Sequence, residues 1–489
     1  MKKLKITALL LALLIFTTAF ASCDVSRIMN MFGDTETDEI TDMLTDTTED
    51  TEGDESEYEN NEVIRSINGI SIDEFTVVYN SDDVDYSKRA AYYISEQILE
   101  ITSVRVPVKE DGDGIFEHEI VVGETSREIS KELDADTYGT EFAILADDDH
   151  IALEGDYFII AAAAYYFIDT YVTGDTFNTQ VPKKVSIHEP IVKEAKNFII
   201  MIGDGMGVSQ TLLYNTMQAA TSGNKAYSDG EDTFYGYLFP NQGLARTKSL
   251  SGTTDSAAGG TALATGHKTY NAYVGKDKNL NDVQSLTELA GSLGKSTAVM
   301  STEKATGATP SAFSAHADNR KNTSEIEASQ RSLMNKYGTI IECGYDYYDV
   351  SGVDLIQNKV NATLNTLSHH ENGFFMMYEE AYIDKHSEDQ DIDGTFDALV
   401  RFNQVIGVVM EFAFYNPETF VLITADHETG GLTYKDGGFK YTSGGAHTGS
   451  DVPVFAYGKG TEKFNEEIVE NTDIPKTIAA LWGVEDFGQ

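Results

Sequence analysis

"NFIIMIGDG", residues 197 to 205, is an apolar run of strand length closed by glycine, aspartate and glycine. A run without alternating polar positions suits a strand buried on both faces rather than one with a wet side. Four further stretches have the same build: "KSTAVMST" (295–302), "GFFMMYEE" (373–380), "TFVLITADHE" (419–428) and "VPVFAYG" (452–458). Helical patterns lie between them. Buried strands alternating with helices predict an α/β fold, a doubly wound and mainly parallel sheet with helices on both faces. Ligands in such sheets bind beyond the carboxyl ends of the strands. The sequence places Asp204 after the first of these strands, Glu379 at the end of the third, and Asp426 with His427 after the fourth. Singly each is an ordinary cap or turn residue. Three strands ending in metal-type ligands at one sheet edge predict a metal site.

Toward the N-terminus the character changes near Pro190. "FTVVYN", "SKRAAYYISEQILEITS", "HEIVVG", "EFAILADDDHIALEG" and "DYFIIAAAAYYFIDTYV" again alternate strand and helix patterns. The last is apolar but short and flanked by acids, which predicts a buried helix rather than a membrane span. This order, above all the "EIVVGETSR" strand, resembles the non-catalytic α/β domain that precedes the barrel of hexosaminidases and α-glucuronidases. That resemblance implies a smaller accessory α/β domain over 63–190; its tyrosines and acids offer a glycan contact, although core and solvated surface account for them more simply. Residues 191–489 form the catalytic domain of the expected layout.

Ahead of both lies a leader. Lys2, Lys3 and Lys5 followed by "ITALLLALLIFTTAFASC" have the basic start, apolar middle and small-residue end of a signal peptide, residues 1–22. Cys23 directly after it resembles the lipid-modified cysteine of bacterial lipoproteins, with Phe20 where leucine is usual. The expectation is an exported protein, lipid-anchored through Cys23 at the outer face of the bacterial cell membrane. Residues 23–62 are mostly Thr, Asp, Glu, Ser and Asn, a composition that cannot bury enough apolar surface to offset its ordering entropy, so an acidic disordered tether is predicted. The formal charge of -45 owes much to it and excludes nucleic acid as a specific partner.

"TTDSAAGGTALATG" (253–266) raises a separate question. On these residues alone Ser256 reads as a helix cap, the commonest use of Ser, Thr or Asp before an apolar helix. Its setting suggests more. "MIGDGMG" (201–207), the Ser256 stretch, "ATPSAFSAHADNR" (308–320), "YEEAYIDK" (378–385), "ADHETGG" (425–431) and "GGAHTG" (444–449) follow one another in the order of the metal and phosphate motifs of bacterial alkaline phosphatases. The region 191–489 resembles that family reduced to little beyond its catalytic core.

The resemblance implies a metal-dependent phosphate monoester hydrolase working through a phosphoserine on Ser256, with small phosphate monoesters as substrates. It implies two Zn2+ and one Mg2+. Asp204, Asp426 and His427 would hold the zinc beside Ser256, Asp384 and His447 the zinc at the leaving oxygen, and Asp204, Thr309 and Glu379 the magnesium. Arg320, eleven residues after Thr309, would clamp phosphate, since a guanidinium fork grips two oxygens at once. Asp255 would orient the nucleophile turn or Arg320. Lys385 is either a phosphate neutraliser acting through water or an exposed salt bridge.

Two departures stand out. Gly307 occupies the place where the family has an Asp or His near the third metal, which puts that site's selectivity in doubt. In "IDKHSEDQD" (383–391) the family's histidine four residues after Asp384 is Glu388, while a histidine stands at His386. Helical spacing favours Glu388 as the third ligand with Asp384 and His447, and a carboxylate there shifts preference toward harder divalent ions. The rivals are a phosphodiesterase of the same superfamily and a non-catalytic glycan-binding surface protein. Ser256 with Thr309 and Glu379 argues against a diesterase, and Ala257-Ala258-Gly259 lacks the sulfatase C/S-x-P-x-R setting. His316 reads as structural, His267, His369 and His370 as surface or packing residues, and Trp482 as core.

Overall fold

The computed structural model describes residues 65–80, 86–133, 140–173, 178–221, 233–344 and 352–489. The leader, Cys23 and the acidic tether lie outside the described residues. Among the described residues the six- and eight-stranded sheets, flanked by helices, make a mixed α/β architecture, with three smaller sheets beside them.

The first sheet comprises β1 (Phe75–Tyr79), β2 (Val108–Glu110), β3 (His118–Val122), β4 (Phe142–Ala146), β5 (His150–Glu154) and β6 (Ser186–His188), in the order β2-β1-β3-β5-β4-β6. β2, β1, β3 and β5 run parallel, and β4 pairs antiparallel with β5 and β6. Helix α1 (Tyr86–Thr102) packs on it with α2 (Ile159–Phe167), the alanine-rich segment expected to be a buried helix.

The second sheet is larger. Its strands are β7 (Asn197–Gly203), β8 (Asn241–Arg246), β9 (Ser296–Ser301), β10 (Ile340–Cys343), β11 (Phe374–Glu380), β12 (Thr419–Thr424), β13 (Val452–Tyr457) and β14 (Ile468–Glu470), in the order β10-β9-β11-β7-β12-β13-β8-β14. β10 through β12 are all parallel. β7 and β11 are buried at every position, as apolar runs covered on both faces should be.

β13 departs from the parallel pattern and runs antiparallel to β12. The cause is local. After β12 the chain stays at the carboxyl end of the sheet, where Glu428–Thr429 pairs with His447–Thr448, so the next strand has to run back. β8, antiparallel to β13, therefore points toward the same end and delivers the loop that leads to Ser256.

One apolar core runs through both sheets across the change of character near Pro190. Phe158 of the first region packs edge-on against Tyr235 at 4.9 Å and lies 5.8 Å from Phe414. Phe414 belongs to the 24-residue helix Ile392–Tyr415, which is long and apolar enough to cross a membrane but is two thirds buried inside the protein. Trp482 packs edge-on against Phe198 of β7 at 5.2 Å.

Candidate active site

The ends of β11, β7 and β12 lie side by side, Ile202 pairing with Glu379 on one flank and Thr424 on the other. That register brings Asp204, Glu379, Asp426 and His427 to one place. Asp426 Oδ1 accepts the backbone N–H groups of Gly205 at 3.3 Å and His427 at 3.0 Å, which fixes its second oxygen toward the interior. Gly205 has φ +72, and a Cβ on it would meet the Asp384 backbone at 2.9 Å, so only glycine lets these turns approach.

Ser256 opens helix α3 (Ser256–Thr265), and the cap is its neighbour. Asp255 accepts Ala258 N–H at 3.0 Å with one oxygen and Ala272 N–H at 2.9 Å with the other. The Ser256 hydroxyl is left for chemistry and lies 3.2 Å from His427 Nε2. A Cβ at Gly259 would fall 2.8 Å from the Asp426 carbonyl oxygen, so the small residues of this helix allow its close seating on the metal-ligand turn.

His427 is the hub. Its Nε2 lies 3.3 Å from Asp426 Oδ2 and 3.4 Å from Asp204 Oδ1, and a ring nitrogen with at most one proton cannot satisfy these oxygens and Ser256 together. Asp204 Oδ1, Asp426 Oδ2, Glu379 Oε1 and Thr309 Oγ1 are all buried without a hydrogen bond. Inward oxygens beside an imidazole are the donor set of divalent cations, and the residues fit such ions. Among the described residues two three-residue groups meet metal-ligand spacing: Asp204, Asp426 and His427, and Asp384, His427 and His447. His447 Nδ1 lies 3.0 Å from the Thr254 carbonyl oxygen, a contact that places the proton on Nδ1 and leaves the Nε2 lone pair facing inward. The two imidazoles stack with centroids 3.7 Å apart.

Electrostatics agree. Burial, then the Asp426 charge, raises Asp204 well above the usual carboxylate range. Burial with the Glu303 charge pushes Glu379 up to about 8, and burial pushes Asp384 up to about 7. Burial, followed by the neighbouring His447 and Arg320, holds His427 well below its ordinary value, in the neutral form a metal needs. Mutually repelling buried acids are a frustrated arrangement that cations relieve.

Around Asp384 the two candidate residues stand differently. Asp384 and Glu388 share a face of α4 (Tyr382–Glu388), and His447 Nε2 lies 3.6 Å from Asp384 and 3.5 Å from Glu388. His386 turns the other way and sits 3.2 Å from Asp391. Arg320 stands 3.5 Å from Asp255 Oδ2, its side chain about a third exposed, so Asp255 both caps α3 and steadies the guanidinium. Lys385 pairs with Glu303 at 3.3 Å. Both nitrogens of His316 are engaged, by the Gly275 carbonyl at 2.7 Å and Glu288 at 3.0 Å, which is a structural use. Two residues were not singled out from sequence. Thr429 hydrogen-bonds Asp384 and sits 3.2 Å from His427 Nδ1, linking the two groups. Glu303 faces Glu379 and Lys385.

The comparisons converge on this arrangement. A family model described as Alkaline phosphatase matches residues 195–350 and 354–443. Alkaline phosphatase 3 of Bacillus subtilis (strain 168) is 28% identical over 341 residues, covering 58% of this chain and 71% of the relative. The solved alkaline phosphatase of the Antarctic bacterium TAB5 has 27% sequence identity and a TM-score of 0.52, covering 61% of this chain and 100% of the other. A histidine-to-aspartate variant of that enzyme, described with Mg bound in the M3 site, is 27% identical with a TM-score of 0.51, covering 61% of this chain and 100% of the other. With the family match extending over half its length and clustered metal ligands at the sheet edge, this chain belongs to the alkaline phosphatase family of metal-dependent phosphomonoesterases.

Proposed function

We propose that the chain hydrolyses small phosphate monoesters outside the cell through a covalent phosphoserine on Ser256. The observation that carries this reading is the Ser256 hydroxyl, freed from capping by Asp255 and 3.2 Å from the imidazole common to both metal-ligand groups. Two Zn2+ ions, held by Asp204, Asp426 and His427 and by Asp384, Glu388 and His447, and one Mg2+ held by Asp204, Thr309 and Glu379, would supply the positive charge that a phosphate dianion and its alkoxide leaving group require. The Mg described for the TAB5 variant supports the choice of third ion.

The protein's own part is positioning. Ser256 Oγ attacks phosphorus in line, the P–O bond to the leaving alcohol breaks, and water later cleaves the serine phosphate to release inorganic phosphate. Free N–H groups at the start of α3 favour negative charge on Ser256 and on the phosphoryl group. Arg320, steadied by Asp255, grips the non-bridging oxygens. Arg320 and Glu388 are partly exposed beside the buried ligands, which would leave the leaving group toward solvent and favour broad specificity.

The test is turnover of an aryl phosphate against an aryl phosphodiester and an aryl sulfate. The monoester should be preferred by orders of magnitude; equal or faster diester turnover overturns the reading. The Glu388 assignment has its own check. Glu388→Ala should lose one bound metal and slow alkyl phosphates more than aryl phosphates, because weaker charge at the leaving oxygen hurts poor leaving groups most. His386→Ala should keep full metal content, and metal loss in that variant alone would reverse the assignment.

Export and membrane attachment through lipid on Cys23 belong to the same proposal and rest on the leader sequence. The region 63–190, which has a six-stranded sheet of its own, is proposed as an accessory α/β domain, and glycan contact is proposed for it from the sequence resemblance alone.

A further inference from the structure

We infer that Glu303 is a positioning and selectivity residue for the third cation, reaching it through the space that Gly307 leaves open. Gly307 precedes helix α5 (Ala308–Ser314) with φ -59 and ψ 161, a conformation any residue adopts. The backbone does not ask for glycine there. The neighbouring side chain does: a Cβ on Gly307 would fall 2.2 Å from Glu303 Oε2 and 2.7 Å from its Cδ. The Glu303 carboxylate thus fills the volume of a side chain at 307, two residues before Thr309.

Glu303 is held at both its backbone and its carboxylate. Glu303 N–H donates to Ser301 Oγ at 2.9 Å, and the same hydroxyl donates to Glu379 Oε2, tying the two acids to one strand end. On its other side Glu303 meets Lys385 at 3.3 Å, next to the ligand Asp384. Thr309 Oγ1, Glu379 Oε1 and Asp204 Oδ1 are buried with no hydrogen-bond partner, and the Glu303 charge acts on both Glu379 and Asp204. Thr309 and Glu379 are 0% exposed. This donor set is oxygen only, which suits a hard divalent ion of the magnesium kind, and such an ion keeps part of its water shell for an outer carboxylate to hold. Glu303, 22% exposed, is less buried than Thr309, Glu379 and Asp204, as a carboxylate that meets an ion through water should be.

This inference rests on the three-ion reading above, and metal counting separates the two. Full-length protein is stripped, reloaded with Zn2+ and Mg2+, counted for metal by mass spectrometry, and titrated calorimetrically with Mg2+ alone. Wild type should hold three ions; a count of two fails the three-ion reading itself. Glu303→Gln, isosteric and still able to hydrogen-bond, should keep both zinc ions and bind Mg2+ about ten- to a hundredfold more weakly. Glu303→Ala should do the same, and adding Gly307→Asp to it should restore Mg2+, because the space Glu303 vacates admits the new carboxylate. Lys385→Ala should retain the third ion. Wild-type Mg2+ affinity in Glu303→Gln overturns the inference, as does equal loss of Mg2+ in Lys385→Ala, which would make the ion pair rather than the carboxylate the determinant.

Discussion

Ser256→Ala should lower kcat on aryl phosphates by on the order of a thousandfold or more, with no phosphoserine recovered after acid quench. The size of the loss follows from what the hydroxyl does and does not do. It is the atom to which phosphorus would bond, so its removal closes the covalent route rather than weakening one contact. Its structural duties are slight. Asp255 performs the capping, with both carboxylate oxygens engaged by backbone N–H groups, so α3 should still begin at the same place. His427 keeps Asp204 and Asp426 within 3.5 Å, so the metal ligands should keep their arrangement. The variant should therefore fold and load metal like wild type while failing to turn over. Full activity in Ser256→Ala, or acid-stable phosphate on a different residue, would sink the phosphoserine mechanism.

Much of this arrangement could be read before any coordinates, for a simple reason. β7, β11 and β12 are apolar along their lengths because both faces are covered, and an acid directly after such a run lies at the open end of a sheet. Asp204, Glu379, Asp426 and His427 announce themselves in this way. β8 does not, since Asn241, Gln242 and Gly243 carry no strand signal and its pairing depends on partners far along the chain. The reversal at β13 was equally hidden, being set by where the chain stands after the His447 hairpin rather than by the composition of "VPVFAYG". Helical spacing puts Glu388 on the Asp384 face, and α4 sets it 3.5 Å from His447, although the metal-spaced group around Asp384 is completed by His427 and His447 instead. Thr429 and Glu303 were not legible, because a threonine and a glutamate of ordinary type take on meaning only through what they touch. The glycine at 307 looked like a missing ligand in the sequence; beside Glu303 it is the space another carboxylate uses.

Exhaustive chelation should abolish activity and also lower the melting temperature, by more at pH 8 than at pH 5. The direction follows from the buried acids. Glu379 is raised from 4.5 to about 8 and Asp384 from 3.8 to about 7, so in the metal-free protein the folded state binds these protons more tightly than the unfolded chain does. Stability must then fall as pH rises from about 4 toward 8, the window between the unfolded and folded values, with burial of charge as the chief cause. Cations reverse the balance, because they bind the ionised carboxylates and displace the protons. An ion held at a thousandfold above its Kd adds about 4 kcal/mol per site, and this gain should be largest where the apo protein is weakest. The chain's overall charge of -45 also disfavours the compact state at high pH, so a control is needed. Metal-free Glu379→Gln, which removes one buried ionisation but leaves the surface unchanged, should show a flatter decline between pH 5 and pH 8 than metal-free wild type. A metal-free melting temperature equal at the two pH values, or activity persisting when mass spectrometry finds no bound metal, would remove the basis for placing cations among Asp204, Glu379, Asp384 and Asp426.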